Sequence, residues 1–373
     1  MAGIYIHVPF CKQACHYCNF YFSTSLGNKD RYIQALLKEI ALSKDYLAGE
    51  EIETLYLGGG TPSLLTVDDI QQITEQLASY HTINLKEFTL EANPDDLTAD
   101  KVASLQQLKP LGFNRFSIGI QSFFDEDLTY MNRAHNATEA LTAVKRVQDA
   151  GFDKVTIDLI YGTPTMSDER WLQNLNKAFD LNVPHISSYA LTVEDKTGLE
   201  RKIAKGEYKP VEEEQSARQF KLLMEQMRAH GYEQYEISNF AKPGRYAVHN
   251  TNYWRGKKYL GLGPSAHSFN GNSRRWNVAN NINYINSIDA GSILFEEEIL
   301  TPAQQTNEKI MTALRTQWGL PIVDLGMRNA DLIQEALIHI PVEHYTLING
   351  VLKLTEEGKL FADAIAAELF VED

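Results

Sequence analysis

Six short apolar runs, each followed by a stretch with helical spacing, fill the first half of the chain and leave few folds open to it. The runs are Gly3 to Val8, Ile52 to Leu57, Glu87 to Glu91, Arg115 to Ile120, Lys154 to Tyr161 and His185 to Leu191. They are rich in β-branched and aromatic residues, which suit a pleated backbone. Between them apolar residues return every three or four positions, as at Tyr32, Ile33, Leu36, Leu37 and Ile40, and again at Val67, Ile70, Ile73 and Leu77. Thr66 and Thr98 stand where helix N-caps belong. Strands alternating with helices build a parallel sheet with helices outside it, so an α/β fold is expected. Six such units suit a partial (β/α)6 barrel better than a closed eight-stranded one, although the same periodicity fits a doubly wound sheet.

The 373 residues contain three cysteines, Cys11, Cys15 and Cys18, all within eight consecutive positions after the first run. Thiolates clustered on one loop can converge on a soft metal centre, whereas cysteines that serve only packing are scattered. An odd number also rules out a complete disulfide framework. Two centres fit the count. A structural zinc would need a fourth ligand from His7 or His16; a cubane iron–sulfur cluster would leave one iron open to an exogenous ligand. The formal charge of −14 argues against a nucleic-acid partner and against general attraction to anionic lipid. No run of eighteen apolar residues and no leader-like segment is present, so a cytoplasmic protein with reduced thiols is expected.

Chemistry-bearing residues gather where the runs end, the usual place for sites in parallel α/β folds. Gly58-Gly59-Gly60-Thr61 follows the second run, and its glycines let the backbone approach a ligand with no Cβ in the way. Glu91 closes the third run and Gln121 the fourth, and Arg133 follows in Asn132-Arg133-Ala134-His135. Asp158 sits inside the apolar fifth run, where a charge is costly without a partner. It is either a site residue or half of a buried ion pair with Arg133.

Cys11-x3-Cys15-x2-Cys18, with Tyr17 just before the last cysteine, resembles the radical S-adenosylmethionine (SAM) superfamily. The resemblance implies a partial barrel and a [4Fe-4S] cluster on the three cysteines, with SAM chelating the fourth iron. It also implies reductive cleavage of SAM to a 5′-deoxyadenosyl radical, with electrons from a donor such as flavodoxin or ferredoxin. The segments together resemble the oxygen-independent coproporphyrinogen III oxidase-like branch, which implies SAM contacts at Tyr5, Tyr17, Gly59, Gly60, Thr61, Glu91, Gln121, Arg133, Asp158 and Ala190. Within that branch, His249-Asn250-Thr251-Asn252-Tyr253-Trp254 resembles the H-N-x-x-Y-W signature of haem chaperones. This implies that His249 holds haem for delivery to haem-accepting proteins. A respiratory-chain acceptor would add peripheral membrane contact.

Tyr253 and Trp254 can lie against a flat macrocycle, and Arg255, Lys257 and Lys258 can meet its propionates. A lone histidine is more often a hydrogen-bonding residue, and His267, in the glycine-rich Gly261 to Ser268 segment, is a rival ligand. The alternative function is coproporphyrinogen III dehydrogenation, an oxidative decarboxylation begun by SAM cleavage. That group carries a further cysteine two places after the third and a longer lead before the first strand. Phe20 at that position, and the two residues ahead of Gly3, count against it.

Three parts are expected: residues 1–240 as the barrel and its extension, 241–295 as the haem segment, and 296–373 as a small α+β domain of winged-helix type. In the last, helices are expected over Ala303 to Thr316, over Asp331 to Ile338 and from about Thr355, with a hairpin over Tyr345 to Leu354 turning at Asn349-Gly350. It lacks a basic face, so DNA binding is not expected. Homodimerisation is left open.

Overall fold

In the computed structural model, which describes residues 1–372, six parallel strands form the inner wall of the molecule. They are β1 (Ala2–Val8), β2 (Ile52–Gly59), β3 (Ile83–Ala92), β4 (Arg115–Gln121), β5 (Lys154–Tyr161) and β6 (His185–Ala190). Each pairs with its neighbour in chain order. A doubly wound sheet would reverse that order at a switch point, so the unbroken sequence from β1 to β6 decides for the partial barrel. β3 starts earlier than its apolar run because Ile83 to Lys86 alternate between half-buried and exposed, and pair without forming core.

The sheet continues past both ends of this wall to twelve strands. Beyond β6 lie β7 (Glu233–Glu236) and β8 (Asn239–Ala241); beyond β1 lie β9 (Tyr259–Leu262), β10 (His267–Phe269), β11 (Ser273–Asn277) and β12 (Phe295–Ile299). β9 runs parallel to β1, and the pairings from β9 out to β12 are antiparallel. These additions are not readable as strands in the sequence. β12 is Phe-Glu-Glu-Glu-Ile with every residue exposed, and β8 has three residues, too few for a period to register.

Alternation along the strands sorts side chains to two faces. Ile4, Ile6, Leu55, Leu57, Phe88, Leu90, Phe116 and Ile118 pack outward into the main core. Their alternates, including Tyr5, Tyr56, Glu91, Ser117 and Asp158, face the barrel interior, which is polar. The outer helices start at defined caps. Thr66 Oγ1 accepts from the Asp69 amide at 3.1 Å while Asp69 accepts from the Thr66 amide at 2.8 Å, and Thr98 accepts from the Lys101 amide at 3.2 Å.

Residues beyond 300 build a second core around Ile310, Leu314, Ile333, Leu352 and Ile365. It is formed by helices Pro302–Leu314, Met327–Ala336 and Ala362–Glu368 on a small sheet of β13 (Leu320–Pro321), β14 (Tyr345–Ile348) and β15 (Val351–Leu354). Asn349 (φ 53°) and Gly350 (φ 76°) make the hairpin turn, both left-handed as a type I′ turn requires. The last helix begins later than Thr355, whose hydroxyl instead accepts from the Gly358 amide at 3.1 Å and opens a 3₁₀ turn over Gly358–Phe361. Among the described residues no helix is long and apolar enough to cross a membrane.

Candidate cofactor and ligand sites

The cysteine loop leaves β1 and is tied back to it: the Cys11 amide donates to Ser23 O at 3.0 Å, and the Ser23 amide to Pro9 O at 2.9 Å. Cys11, Cys15 and Cys18 line a single cavity of about 440 Å³ at the carboxyl ends of the barrel strands. Among the described residues no three His, Cys, Asp or Glu side chains stand close enough to share one metal ion. The glycine turn after β2 presses on this loop. A Cβ on Gly60 would lie 2.6 Å from Phe10 O, and one on Gly59 (φ 103°) 2.6 Å from His7 Nδ1. Gly60 is therefore required by close backbone approach, and Gly59 by its positive φ and the His7 ring, before any ligand is considered.

Two carboxyls and a guanidinium share the cavity with the thiols. Glu91 Oε1 accepts from Tyr56 OH at 2.6 Å and Oε2 from the Gly59 amide at 3.0 Å, but desolvation prevails and raises its pKa to about 7. Burial likewise lifts Asp158 to about 6, with Ser117 Oγ 3.4 Å away. The alternative of an Asp158–Arg133 ion pair is not formed: Arg133 donates to Asn93 Oδ1 (2.7 Å) and Gly119 O (2.8 Å), and its Nη1 lies 3.3 Å from both Cys15 Sγ and Tyr17 OH. Arg133 Nε and Thr89 Oγ1, both on residues lining this cavity, are buried without a partner among the described residues. A β-bulge between Ile118 and Gln121 ends β4 with Gln121 at φ 65°, a left-handed backbone held at the cavity wall.

A second, larger cavity of about 1160 Å³ lies between the β9 to β11 side of the sheet and the C-terminal unit. Tyr253, Trp254, Tyr259, His267 and Phe269 line it from one side and Met311 and Trp318 from the other, while Phe20 borders both cavities. His249 lies in the partition between them. Its ring stacks on Tyr56 at 5.0 Å, Nδ1 is 2.8 Å from Thr54 Oγ1, and Nε2 is 2.9 Å from Tyr253 OH.

Three comparisons bear on identity. The family described as the radical SAM superfamily matches residues 5–186. The heme chaperone HemW of Bacillus subtilis is 33% identical, with 98% of each chain covered, and that of Escherichia coli is 38% identical over 71% of this chain and 69% of its own. This chain belongs to the HemW family of radical SAM proteins. The solved structure of coproporphyrinogen III oxidase (HemN) from Escherichia coli, a radical SAM enzyme, superposes with a TM-score of 0.82. It is 22% identical and covers 99% of this chain and 90% of that one, so the fold of the HemW family chain is HemN-like.

Radical SAM membership implies a [4Fe-4S] cluster and SAM, and the residues present fit both. Three thiols at one cavity form the donor set, two carboxyls and a guanidinium suit an ammonium and a carboxylate, and the unpartnered Arg133 Nε and Thr89 Oγ1 await a ligand. Of the ten SAM positions expected from sequence, Tyr17, Gly59, Gly60, Thr61, Glu91, Gln121, Arg133, Asp158 and Ala190 line the smaller cavity. Tyr5 does not. It lines the larger one, 3.2 Å from His7 Nδ1. Sequence reasoning missed Ser117, Ser187 and Tyr189, which also line the smaller cavity; polar residues at alternate positions of otherwise apolar strands were the available signal.

His249 departs from the expected loop ligand. It belongs to the short helix Val248–Trp254, is buried, and has both nitrogens engaged, with desolvation lowering its pKa to about 3. As placed, it presents no free lone pair to either cavity of this HemW family member. The basic trio also divides. Lys257 pairs with Glu53 and Lys258 with Glu50, leaving Arg255, stacked 4.3 Å over Trp318, without an acid partner among the described residues.

Proposed function

We propose that this chain carries haem and hands it to acceptor proteins, and that it holds a [4Fe-4S] cluster on Cys11, Cys15 and Cys18 with SAM beside it. One observation carries the reading: two cavities of different chemistry share one partition. The smaller joins thiols, carboxyls and a guanidinium; the larger is broad and aromatic, as a flat apolar macrocycle requires. In this reading Glu91 and Asp158 face the cationic end of SAM and its ribose, Arg133 and Gln121 face its carboxylate, and Gly59, Gly60 and Thr61 offer backbone groups to its amino end. The cluster, when bound, supplies the electron that SAM cleavage needs, and a donor of flavodoxin or ferredoxin type belongs to the same proposal. Residues 1–240 then carry the cluster and SAM, 241–295 form the inner wall of the haem cavity and 296–373 cover it.

Protein purified and reconstituted without oxygen, then titrated with haem and assayed for iron, sulfide and 5′-deoxyadenosine, tests this reading. One saturable haem per chain together with four irons and four sulfides is expected. Conversion of coproporphyrinogen III to protoporphyrinogen IX in the presence of SAM would replace the carrier with a dehydrogenase.

A further inference from the structure

We infer that Glu236 and Asn239 are positioning residues for Asp158: they draw off the one proton of Ser187 and so reserve the Asp158 carboxyl for hydroxyl groups of the ligand. This rests on the cofactor reading, in which Asp158 faces the SAM ribose, and adds the residues that prepare it. The four side chains form one row across the sheet. In the strand order β5-β6-β8-β7, Asp158 stands opposite Ser187, Ser187 opposite Asn239, and Asn239 opposite Glu236. Asp158 and Ser187 line the smaller cavity, whereas Asn239 and Glu236 are buried outside its lining.

Hydrogen-bond chemistry allows this row one direction. Glu236 Oε1 accepts from Asn239 Nδ2, and the Ser238 and Asn239 backbone amides also donate to this carboxyl. Glu236 Oε2 has no partner among the described residues, so a proton taken up by the carboxyl sits there and Oε1 remains an acceptor. The Asn239 amide is thereby fixed with its carbonyl toward Ser187, since the reverse orientation would set two oxygens face to face. Ser187 Oγ donates to Asn239 Oδ1 at 2.7 Å. A hydroxyl has a single proton, and this contact uses it. Tyr189, which also meets Ser187, keeps its own proton because burial raises its pKa.

Asp158 is left with one hydroxyl donor from the wall, and a distant one. Ser117 Oγ lies 3.4 and 3.5 Å from its two oxygens, beyond the usual O–H···O range. Both oxygens therefore stay open as acceptors, which suits the two adjacent hydroxyls of a ribose. Ser187, in contact with Asp158 but with lone pairs alone to offer, favours the neutral carboxyl in the empty site, and ligand hydroxyls favour the charged one. The other groups facing Asp158 are the Arg133 and Arg115 guanidiniums, Glu91 and the Tyr56 and Tyr189 hydroxyls.

Full-length protein, reconstituted without oxygen, is titrated with SAM by calorimetry at about pH 5 and about pH 8, either side of the Asp158 value of about 6. In the unaltered chain affinity is expected to rise with pH as Asp158 ionises. Asn239→Leu and Glu236→Leu release the Ser187 proton to Asp158. One such hydrogen bond favours ionisation about tenfold, so the ratio of the two affinities should shrink about fivefold. Glu236→Gln keeps the acceptor oxygen and should retain the unaltered ratio. In a Ser187→Ala background, which has no proton to redirect, Asn239→Leu should change the ratio by less than about twofold. Glu91 titrates in the same window in every chain, so the comparison between chains isolates Asp158. The assignment is overturned if the leucine variants, folded by circular dichroism, keep the unaltered ratio, if Glu236→Gln changes it as much as Glu236→Leu, or if the effect of Asn239→Leu persists without Ser187. An unaltered chain that binds no SAM would instead overturn the cofactor reading and take the assignment with it.

Discussion

Glu91 and Asp158 are carboxyls held above their ordinary pKa by desolvation, to about 7 and about 6. The folded chain therefore keeps protons that the unfolded chain has released, and stability present below about pH 4 is lost as pH rises through about 7. Each tenfold displacement corresponds to about 1.4 kcal/mol. With SAM absent, urea midpoints should fall between pH 5 and 8, and the double variant Glu91→Gln, Asp158→Asn should flatten that slope. Gly60 yields a steric prediction. The new methyl of Gly60→Ala would meet the Phe10 carbonyl at 2.6 Å, so a cost of about 1–3 kcal/mol and reduced iron occupancy are expected, read by urea unfolding and iron analysis. The cysteine triad was legible because it needs only spacing. The state of Asp158 was not, because the chain could not reveal that Arg133 turns instead toward Asn93 and Gly119.

The short helix Val248–Trp254 is the element that joins the two sites. Its first amides donate to Glu87, Asn252 reaches Glu53, and His249 lies between Tyr56 and Tyr253. Replacing His249 with alanine removes a stacked ring and leaves the Thr54 and Tyr253 hydroxyls short of a partner. A loss of about 2–4 kcal/mol in unfolding free energy is expected, together with weaker SAM binding by calorimetry as Tyr56 and its bond to Glu91 loosen. The outer helices behave more simply. Thr66→Ala removes one capping box and should cost about 1 kcal/mol in the same unfolding assay, leaving SAM affinity unchanged. Such caps, and the Asn349-Gly350 hairpin, are local chemistry and were readable in the sequence. The signature helix was not read as a helix, because its seven residues are set by the side chains that it meets.

Across the whole molecule, the larger cavity exists only where the sheet extension meets the C-terminal unit. Trp318 contributes to it from the far side, beneath Arg255 at 4.3 Å and edge-on to Tyr246 at 6.1 Å. Trp318→Ala should weaken haem about tenfold in an absorption titration while SAM affinity is unchanged, since the smaller cavity has no wall in that unit. The amino-acid order alone determined the alternation of strands and helices and the sulfur triad, while nine of the residues that line the smaller cavity came from the resemblance to a known family. The alternation and the triad follow from periodicity and spacing, which act over a few residues. The tertiary structure decided that His249 is enclosed by Thr54 and Tyr253, that Tyr5 lines the larger cavity, and that six strands grow to twelve. Each of those depends on partners brought together from distant parts of the chain, as His249 is by Thr54.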